Sequence, residues 1–345
     1  MPITSNQNID FHFTQKLNQG HRDIANMASN TEAQVAQPPW KLKATIYTFM
    51  MYISSKDAET LGSDKSFLYS PLEASSAFAK DRLVGGLAMV QVIRYIESPV
   101  GPYDEFLMAP GAFEYDVGAE QRNGKAETVK KNNMRVTRIY VSQKDTCWNG
   151  RTSKYIHSVE SSMFTRLMSV PDWNIPKHLA RFTFTNISGN AIAIAVYPHD
   201  TEGSLSESAP CPTPFFSAIY KPMPYLPSFP MSTGVAKYVG MDLSIVQPPL
   251  PEGKGSRDEL PGTKQWCQCL PLEYSNKTSL GWWDLKQDEV SEEDALLGRD
   301  DDRVERATVG YENFWPSIGR WRVGLKMEDA TIEFPGGKYW DGPKQ

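Results

Sequence analysis

Residues 180–198, ARFTFTNISGNAIAIAVYP, constrain the fold more than any other stretch of this chain. Phe182 and Phe184 alternate with polar neighbours, and apolar residues return at every second position after the SGN at 188–190. Alternation with a period of two is typical of a β-strand that buries one face. Ser, Gly and Asn between two such runs supply the chemistry of a tight turn. The segment therefore predicts a β-hairpin.

Further runs rich in β-branched and aromatic residues also predict strands. They are residues 42–54, 87–96, 105–115, 134–143, 235–247 and 319–342. The fold class we expect is therefore α+β but mainly antiparallel β, with few helices. A single domain should span residues 39–345, and the polar residues 1–38 should form an N-terminal tail or wrapping segment.

Two stretches are expected to lie outside the regular strands. Residues 209–230 contain many prolines, which cannot donate to a central strand ladder, and their interleaved aromatic residues predict a connection that lies over a core. The acidic stretch 284–307 does not supply the alternating oxygen ligands of a calcium loop, so we interpret it as a solvated face.

Charge and composition argue against several classes of partner. The chain of 345 residues has a net charge of −5 and no basic run, so we expect no nucleic-acid binding. Its longest apolar run, AIAIAVY, is far shorter than the roughly 20 residues of a membrane helix, so we expect no membrane partner. The N-terminus lacks a basic stretch followed by an apolar one, which predicts a cytoplasmic protein.

The residue types that usually bind metals or cofactors are sparse. The four cysteines and five histidines lack the spacing of a metal site, and no phosphate-binding or dinucleotide-binding loop is present. We expect no metal and no cofactor. Any chemistry should therefore depend on amines and carboxylates.

One amine lies in an unusual place. In WNIPKHLARF, residues 173–182, Lys177 stands among apolar residues directly before a predicted strand. Lysine is normally an exposed residue. The residue is either an ordinary lysine at a strand edge or an amine held in an apolar place for chemistry.

Three blocks carry a resemblance to a known family. SPVGPYDEFLMAPGAFEY (98–115), RVTRIYVSQKDTCWNGR (135–151) and WNIPKHLARFTF (173–184) occur in this order. They resemble the acetoacetate decarboxylase-like superfamily, and most closely a branch found in filamentous fungi. The resemblance covers roughly residues 38–245. It implies an antiparallel β-barrel or cone with a closed internal cavity and a few outer helices.

The resemblance also implies catalytic residues. In the family, the first lysine of a Pro-Lys-Lys pair forms a Schiff base with a keto substrate, and Lys177 stands at that position. The lysine pKa, normally about 10.4, must be lowered before the amine can attack a carbonyl. His178 replaces the second lysine, and Glu105 matches a carboxylate that orients substrate or carries a proton. These three residues are the catalytic candidates.

Two other polar positions of the family have changed in this chain. A second family glutamate falls at Val90 or Gln91, and the family arginine has no clear match. Other residues could take over the contacts to substrate. The substrate-binding candidates are Gln91, Arg94, Tyr103, Asp104 and Arg138.

Three functions are compatible with these residues. The first is a cofactor-independent enzyme of specialised metabolism, a Schiff-base lyase or decarboxylase acting on an apolar β-keto or related carbonyl compound. The second is a cofactor-free cyclase, isomerase or pericyclase that shapes a polyketide or terpenoid intermediate. The third is a non-catalytic binder of a small molecule. Assembly into a homo-oligomer is left open.

Overall fold

The computed structural model describes residues 33–122, 125–151, 173–199, 210–254, 259–285, 314–315 and 318–342. The predicted N-terminal segment 1–38 and the acidic stretch 284–307 lie almost wholly outside these ranges. No helix among the described residues is long and apolar enough to cross a membrane.

Strands dominate the described residues. The strands are β1 (Trp40–Ile53), β2 (Arg82–Glu97), β3 (Tyr103–Ala109), β4 (Ala112–Arg122), β5 (Lys125–Met134), β6 (Arg138–Val141), β7 (Lys177–Asn186), β8 (Ile192–Pro198), β9 (Phe216–Pro222), β10 (Phe229–Ser232), β11 (Ile245–Gln247), β12 (Trp266–Cys269), β13 (Leu272–Asp284), β14 (Trp321–Phe334) and β15 (Lys338–Trp340). The α-helices are short: α1 (Ser55–Gly62), α2 (Lys65–Leu68), α3 (Pro71–Ala74) and α4 (Lys144–Arg151). Three 3-10 turns cover Ala77–Ala79, Ser188–Asn190 and Thr233–Val239.

Nine strands close into a barrel. Their order is β1-β14-β13-β9-β8-β7-β6-β3-β2, and pairing of β1 with β2 completes the ring. All neighbours in the ring are antiparallel except β6 and β7, which are parallel. The prediction of a mainly antiparallel β-barrel with few helices is confirmed.

A second group of strands extends from the barrel. The first residues of β2 leave the ring and pair with β4, which continues to β5, β11, β12 and β15. Gly85 and Gly111 lie where β2 and β4 begin to pair, and a Cβ on Gly111 would lie 2.7 Å from the Gly85 carbonyl oxygen. Glycine at 111 allows this close approach, and its φ of 139° is one that other residues rarely adopt.

The predicted hairpin at 180–198 is confirmed. β7 and β8 pair antiparallel, with Phe182 opposite Val196. The turn between them is Ser188–Asn190, where Gly189 and Asn190 have positive φ values of 72° and 58°. Glycine and asparagine tolerate this conformation best, which explains why the turn chemistry was readable from sequence.

Three predicted strands differ in their extent. The runs at 105–115 and 134–143 are each interrupted, because Pro110–Gly111 ends β3 and because β5 ends at Met134 before β6 begins. The run at 235–247 is wrong over its first half: residues up to Val239 form a 3-10 turn, ended by Gly240 with φ of 74°. Only Ile245–Gln247 forms a strand there.

The expectation that residues 209–230 lie outside the strands is wrong for β9 (Phe216–Pro222), which is a member of the barrel ring between β8 and β13. Phe216 and Tyr220 of β9 are buried, whereas Tyr225 and Leu226 are exposed. The predicted strands near the C-terminal end are confirmed as β14 and β15.

Aromatic side chains fill the interior of the barrel. The Tyr47 ring of β1 lies 5.4 Å from the Tyr220 ring of β9, and the Phe106 ring of β3 lies 5.0 Å from the Phe216 ring of β9. These strands are not neighbours in the ring, so the contacts cross its interior. We call this cluster the aromatic core; it includes Tyr47, Phe49, Phe106, Phe216, Tyr220 and Trp283.

Candidate functional site

The face of β2 and β3 that points away from the aromatic core lines a pocket. Because neighbouring residues of a strand point to opposite faces, Val90 and Val92 of β2 enter the aromatic core whereas Gln91 and Ile93 face the pocket. The pocket has a volume of about 310 Å³ and a mostly apolar wall. Its other walls come from β1, the segment before β7, the 3-10 turn Thr233–Val239 and the strands β11 to β14. The pocket and the aromatic core therefore share strands but lie on opposite faces of them.

Packing of the preceding residues places Lys177 in this pocket. Trp173 is buried against Trp40, with ring centroids 5.0 Å apart, and Asn174 adopts a positive φ of 57°. The Asn174 side-chain amide donates to the carbonyl oxygen of Gln265 at 2.6 Å. These contacts fix the chain as it enters β7, so that Lys177 faces the pocket and is only 5% exposed.

The Lys177 ammonium group contacts Glu105 and Thr146. Lys177 Nζ lies 2.9 Å from Glu105 Oε2 and donates to Thr146 Oγ1 of α4 at 3.0 Å. The Tyr95 hydroxyl donates to the other carboxylate oxygen, Glu105 Oε1, at 3.1 Å. The structure thus brings together the two residues that the sequence proposed as reacting amine and carboxylate.

Two tyrosines form the wall beside this ion pair. The Tyr95 and Tyr103 rings stack with centroids 4.3 Å apart, and Lys177 Nζ lies 5.3 Å from the Tyr103 centroid. Burial raises the pKa of Tyr103 to about 12, although the nearby Lys177 charge acts in the opposite direction. Burial and the Glu105 charge raise the pKa of Tyr95 as well. Both hydroxyl groups are therefore protonated donors at neutral pH.

The pKa of Lys177 differs from the expectation. Burial alone would lower it, as imine chemistry requires, but the negative charge of Glu105 acts against burial, and the pKa is raised overall. Lys177 is therefore an ammonium ion. An amine can form only if its proton moves, and Glu105 is the acceptor in direct contact.

A second carboxyl group, absent from the sequence predictions, faces the same pocket. Glu273 of β13 accepts hydrogen bonds from Gln91 Nε2 at 3.0 and 3.1 Å, one to each carboxyl oxygen. Burial and the Glu105 charge raise the pKa of Glu273 to about 7, while the Gln91 hydrogen bond acts against this. Gln91 and Glu273 are 182 positions apart, so no local pattern could have joined them.

His178 does not reach the pocket, contrary to its selection as a catalytic candidate. Its cross-strand partner is Tyr140, on the face of β6 opposite to the pocket. His178 Nε2 lies 2.7 Å from Glu73 Oε2, and both residues are fully buried. Strand alternation explains the outcome, because adjacent residues of β7 cannot both face one pocket.

Glu73 also joins the residues that hold the Lys177 backbone. Arg151 Nη1 lies 3.0 Å from Glu73 Oε1 and donates to the Lys177 carbonyl oxygen at 3.3 Å. Burial opposes the charge of Glu73, but His178 and Arg151 together hold the Glu73 pKa below its usual value. The Cys147 thiol donates to the same Lys177 carbonyl at 3.2 Å. The entry of β7 is thus tied to α3 and α4.

Three of the candidate substrate-binding residues also lie away from the pocket. Arg94 Nε lies 3.3 Å from Asp104 Oδ1, and the Arg94 guanidinium group covers the Phe184 ring. Arg94 and Asp104 alternate along β2 and β3 with the residues that face the pocket, so their side chains point away from it. Arg138 is buried and donates to the carbonyl oxygens of Ser66 and Tyr69. These three side chains therefore stabilise the surrounding structure, whereas Gln91 and Tyr103 do line the pocket.

Comparisons with known proteins add a distant structural likeness. No family model and no curated protein matches this chain. A solved structure described as "Structural Studies of Acetoacetate Decarboxylase" is similar at 9% sequence identity and a TM-score of 0.45, with 89% of this chain and 91% of that chain covered. Among the residues described here, no group of three or more His, Cys, Asp or Glu side chains is arranged to hold a metal ion.

Proposed function

We propose that this protein is a cofactor-independent lyase that acts on a mostly apolar β-keto acid through an imine at Lys177. The carrying observation is the buried pair of Lys177 and Glu105 in the wall of an apolar pocket. A buried lysine beside a carboxylate has a proton acceptor within contact and little water to compete for an electrophile. Residues 173–184 resemble the acetoacetate decarboxylase-like superfamily, in which a lysine forms a Schiff base, and this resemblance supports the same chemistry.

The reaction begins with proton transfer from the Lys177 ammonium group to Glu105. The free amine adds to the substrate carbonyl, and the carbinolamine takes the proton back from Glu105 and loses water to give an iminium ion. The bond between the α-carbon and the carboxylate then breaks, its electron pair moves to the iminium nitrogen, and carbon dioxide leaves. Protonation of the resulting enamine at carbon and hydrolysis release the ketone and return Lys177. The net reaction consumes one proton and forms one ketone and one carbon dioxide.

Apolar aromatic carbonyl compounds can test this proposal. Benzoylacetate is the β-keto acid probe, and its decarboxylation product is acetophenone. Benzoylacetone should condense with the Lys177 amine, with loss of water, to a stable enaminone visible by absorbance and by mass. Borohydride treatment with acetophenone should reduce the imine to an amine that peptide mapping places on Lys177. A label on other lysines, or none at all, would contradict the proposal.

Matched variants separate Lys177 from other lysines. Lys177→Met removes the amine, whereas Lys41→Met removes an exposed lysine whose ion pair with Glu333 lies outside the pocket. Decarboxylation and enaminone formation should be lost in the first variant and kept in the second. Equal retention of the label in both variants would show that the label reflects general lysine reactivity.

A second candidate function follows from the raised pKa of Lys177. A lysine that stays an ammonium ion can donate a hydrogen bond to a substrate carbonyl while Glu105 removes a proton from the adjacent carbon. This is the chemistry of a cofactor-free isomerase or cyclase. Such an enzyme would exchange the methyl protons of acetophenone in D2O without any borohydride-trapped adduct. An adduct on Lys177 would argue for the imine instead.

A further inference from the structure

The pocket contains two carboxyl groups in contrasting surroundings. Glu105 lies 2.9 Å from the Lys177 ammonium group and accepts a hydrogen bond from Tyr95. Glu273 is bonded through its carboxyl oxygens to the neutral amide of Gln91, and no described lysine or arginine forms an ion pair with it. Paired carboxyl groups whose surroundings differ in this way commonly divide the roles of base and acid.

The strand register brings Glu273 towards the reacting pair. Gln91 of β2 lies diagonally across from Glu105 of β3, because Ile93 is the direct partner of Glu105. Diagonal neighbours of this kind are about 7–8 Å apart, so the hydrogen bonds from Gln91 hold the Glu273 carboxyl group in the same part of the pocket as Glu105. Two hydrogen bonds between Glu273 and Thr233 also hold the backbone of Glu273 against the 3-10 turn Thr233–Val239. Its carboxyl group therefore has a fixed position in the pocket wall.

We propose that Glu273 is the catalytic acid that protonates the substrate carbon after the carboxylate has left. This inference rests on the proposed imine function and adds a residue to it. The enamine carbon takes the proton of the Glu273 carboxyl group, and the nitrogen becomes an iminium ion that water hydrolyses. Glu273 is left as a carboxylate and regains its proton from solvent. By the reverse step the Glu273 carboxylate removes a proton from the methyl group of a bound ketone iminium.

The protonation state of Glu273 at neutral pH suits this role. With a pKa of about 7, the group is partly protonated and can both give and take a proton. The other titratable side chains that line the pocket are Tyr95, Tyr103, Glu105, Lys177 and Cys269. Both tyrosines have raised pKa values and Lys177 remains charged, so these three do not titrate near neutrality. The hydrogen bond with Cys267, together with burial, also raises the pKa of Cys269.

The experiment follows two reactions of one protein. Enaminone formation with benzoylacetone reports Lys177 alone, and exchange of acetophenone methyl protons in D2O reports proton transfer at carbon. Glu273→Gln should keep the first reaction and slow the second by about 100-fold or more, the usual contribution of a general acid or base. Glu273→Asp keeps a carboxyl group and should retain part of the exchange. Glu333→Gln, an exposed change on β14, should leave both reactions unchanged.

Each outcome decides between the two proposals. Exchange by Glu273→Gln at the wild-type rate would overturn the role of Glu273 and leave the imine function standing. Loss of enaminone formation in Glu273→Gln would also overturn that role, because the carboxyl group would then be needed for binding or for the shape of the pocket. A wild-type protein that exchanges protons without forming an adduct would overturn the imine function and, with it, protonation of an enamine by Glu273. Absence of both reactions in the wild-type protein would overturn both.

Discussion

Gly150 of α4 leaves the space that the aliphatic part of the Lys177 side chain occupies. A Cβ on residue 150 would lie 2.5 Å from Lys177 Cδ and 2.7 Å from Lys177 Cε. Real Cβ atoms do not approach other atoms this closely, so the lysine chain would have to move. The direction of the Lys177 amine therefore depends on the absence of a side chain at residue 150 of α4.

Gly150→Ala should consequently weaken the reaction of Lys177. Alanine in a helix normally stabilises relative to glycine by up to about 1 kcal/mol, but overpacking a buried site costs about 1–3 kcal/mol. We expect a small net loss of stability and a fall of up to about 100-fold in enaminone formation, since small displacements of reacting groups are costly. Gly336→Ala, where a Cβ would contact nothing, is the control. Unchanged enaminone formation in Gly150→Ala would contradict this account.

The ion pair of Lys177 and Glu105 should show strong coupling in unfolding experiments. Lys177→Met leaves a buried carboxylate without its cation, a change that typically costs about 3–5 kcal/mol. The double variant Lys177→Met/Glu105→Gln removes both charges and should recover part of that loss. Urea unfolding of the four proteins gives the coupling energy. The exposed pair Lys41 and Glu333 is the comparison, where coupling should not exceed about 1 kcal/mol.

Glu273 should make stability depend on pH below neutrality. Burial and the Glu105 charge raise its pKa from the usual 4.5 to about 7, so the folded protein holds a proton that the unfolded chain releases. The free energy of unfolding should therefore fall as pH rises from about 5 to about 7. Glu273→Gln carries no such proton and should flatten this part of the curve. Urea unfolding across that range, with Glu333→Gln as control, measures the difference; identical slopes in wild type and Glu273→Gln would be inconsistent with it.

His178 should matter for stability and little for chemistry. In His178→Gln the new amide can still donate to Glu73, but its shape differs and the buried Glu73 loses a strong partner. We expect a lower midpoint of thermal unfolding and nearly unchanged enaminone formation with benzoylacetone. Lys177→Met, a change at the adjacent residue, should lose enaminone formation. If His178→Gln abolished the adduct while remaining folded, the placement of His178 outside the reaction would be wrong.

Sequence patterns predicted the strands where one face is apolar and one is polar. Strand β8 follows that rule, since its residues are buried at every second position, and Gly189 and Asn190 supply the positive φ of the turn before it. The strand β13 escaped prediction, because its buried and exposed residues do not alternate regularly. The strand predicted at 235–239 was wrong for a related reason. The apolar side chains there are largely exposed, so their hydrophobic content does not indicate a buried strand.

The site was predictable only in part. Lys177 and Glu105 were found through short blocks that resemble a family, and strand alternation could have excluded His178 and Asp104, the neighbours of those two residues. Glu273 could not be found, since its position depends on how β13 meets the pocket after the barrel closes. The charge of Lys177 was also misjudged, because apolar neighbours in sequence indicated burial but not the strength of the carboxylate beside it.

The two faces of β2 and β3 differ in how freely their side chains can rearrange. One face packs against stiff, interlocking rings, whereas the other meets a wall that includes Met50, Met89, Met134, Met231 and Met241. Methionine chains are unbranched and adapt to irregular shapes. Substitution of these methionines alone could therefore change which small molecule the pocket binds, while the aromatic core on the opposite face keeps the barrel intact.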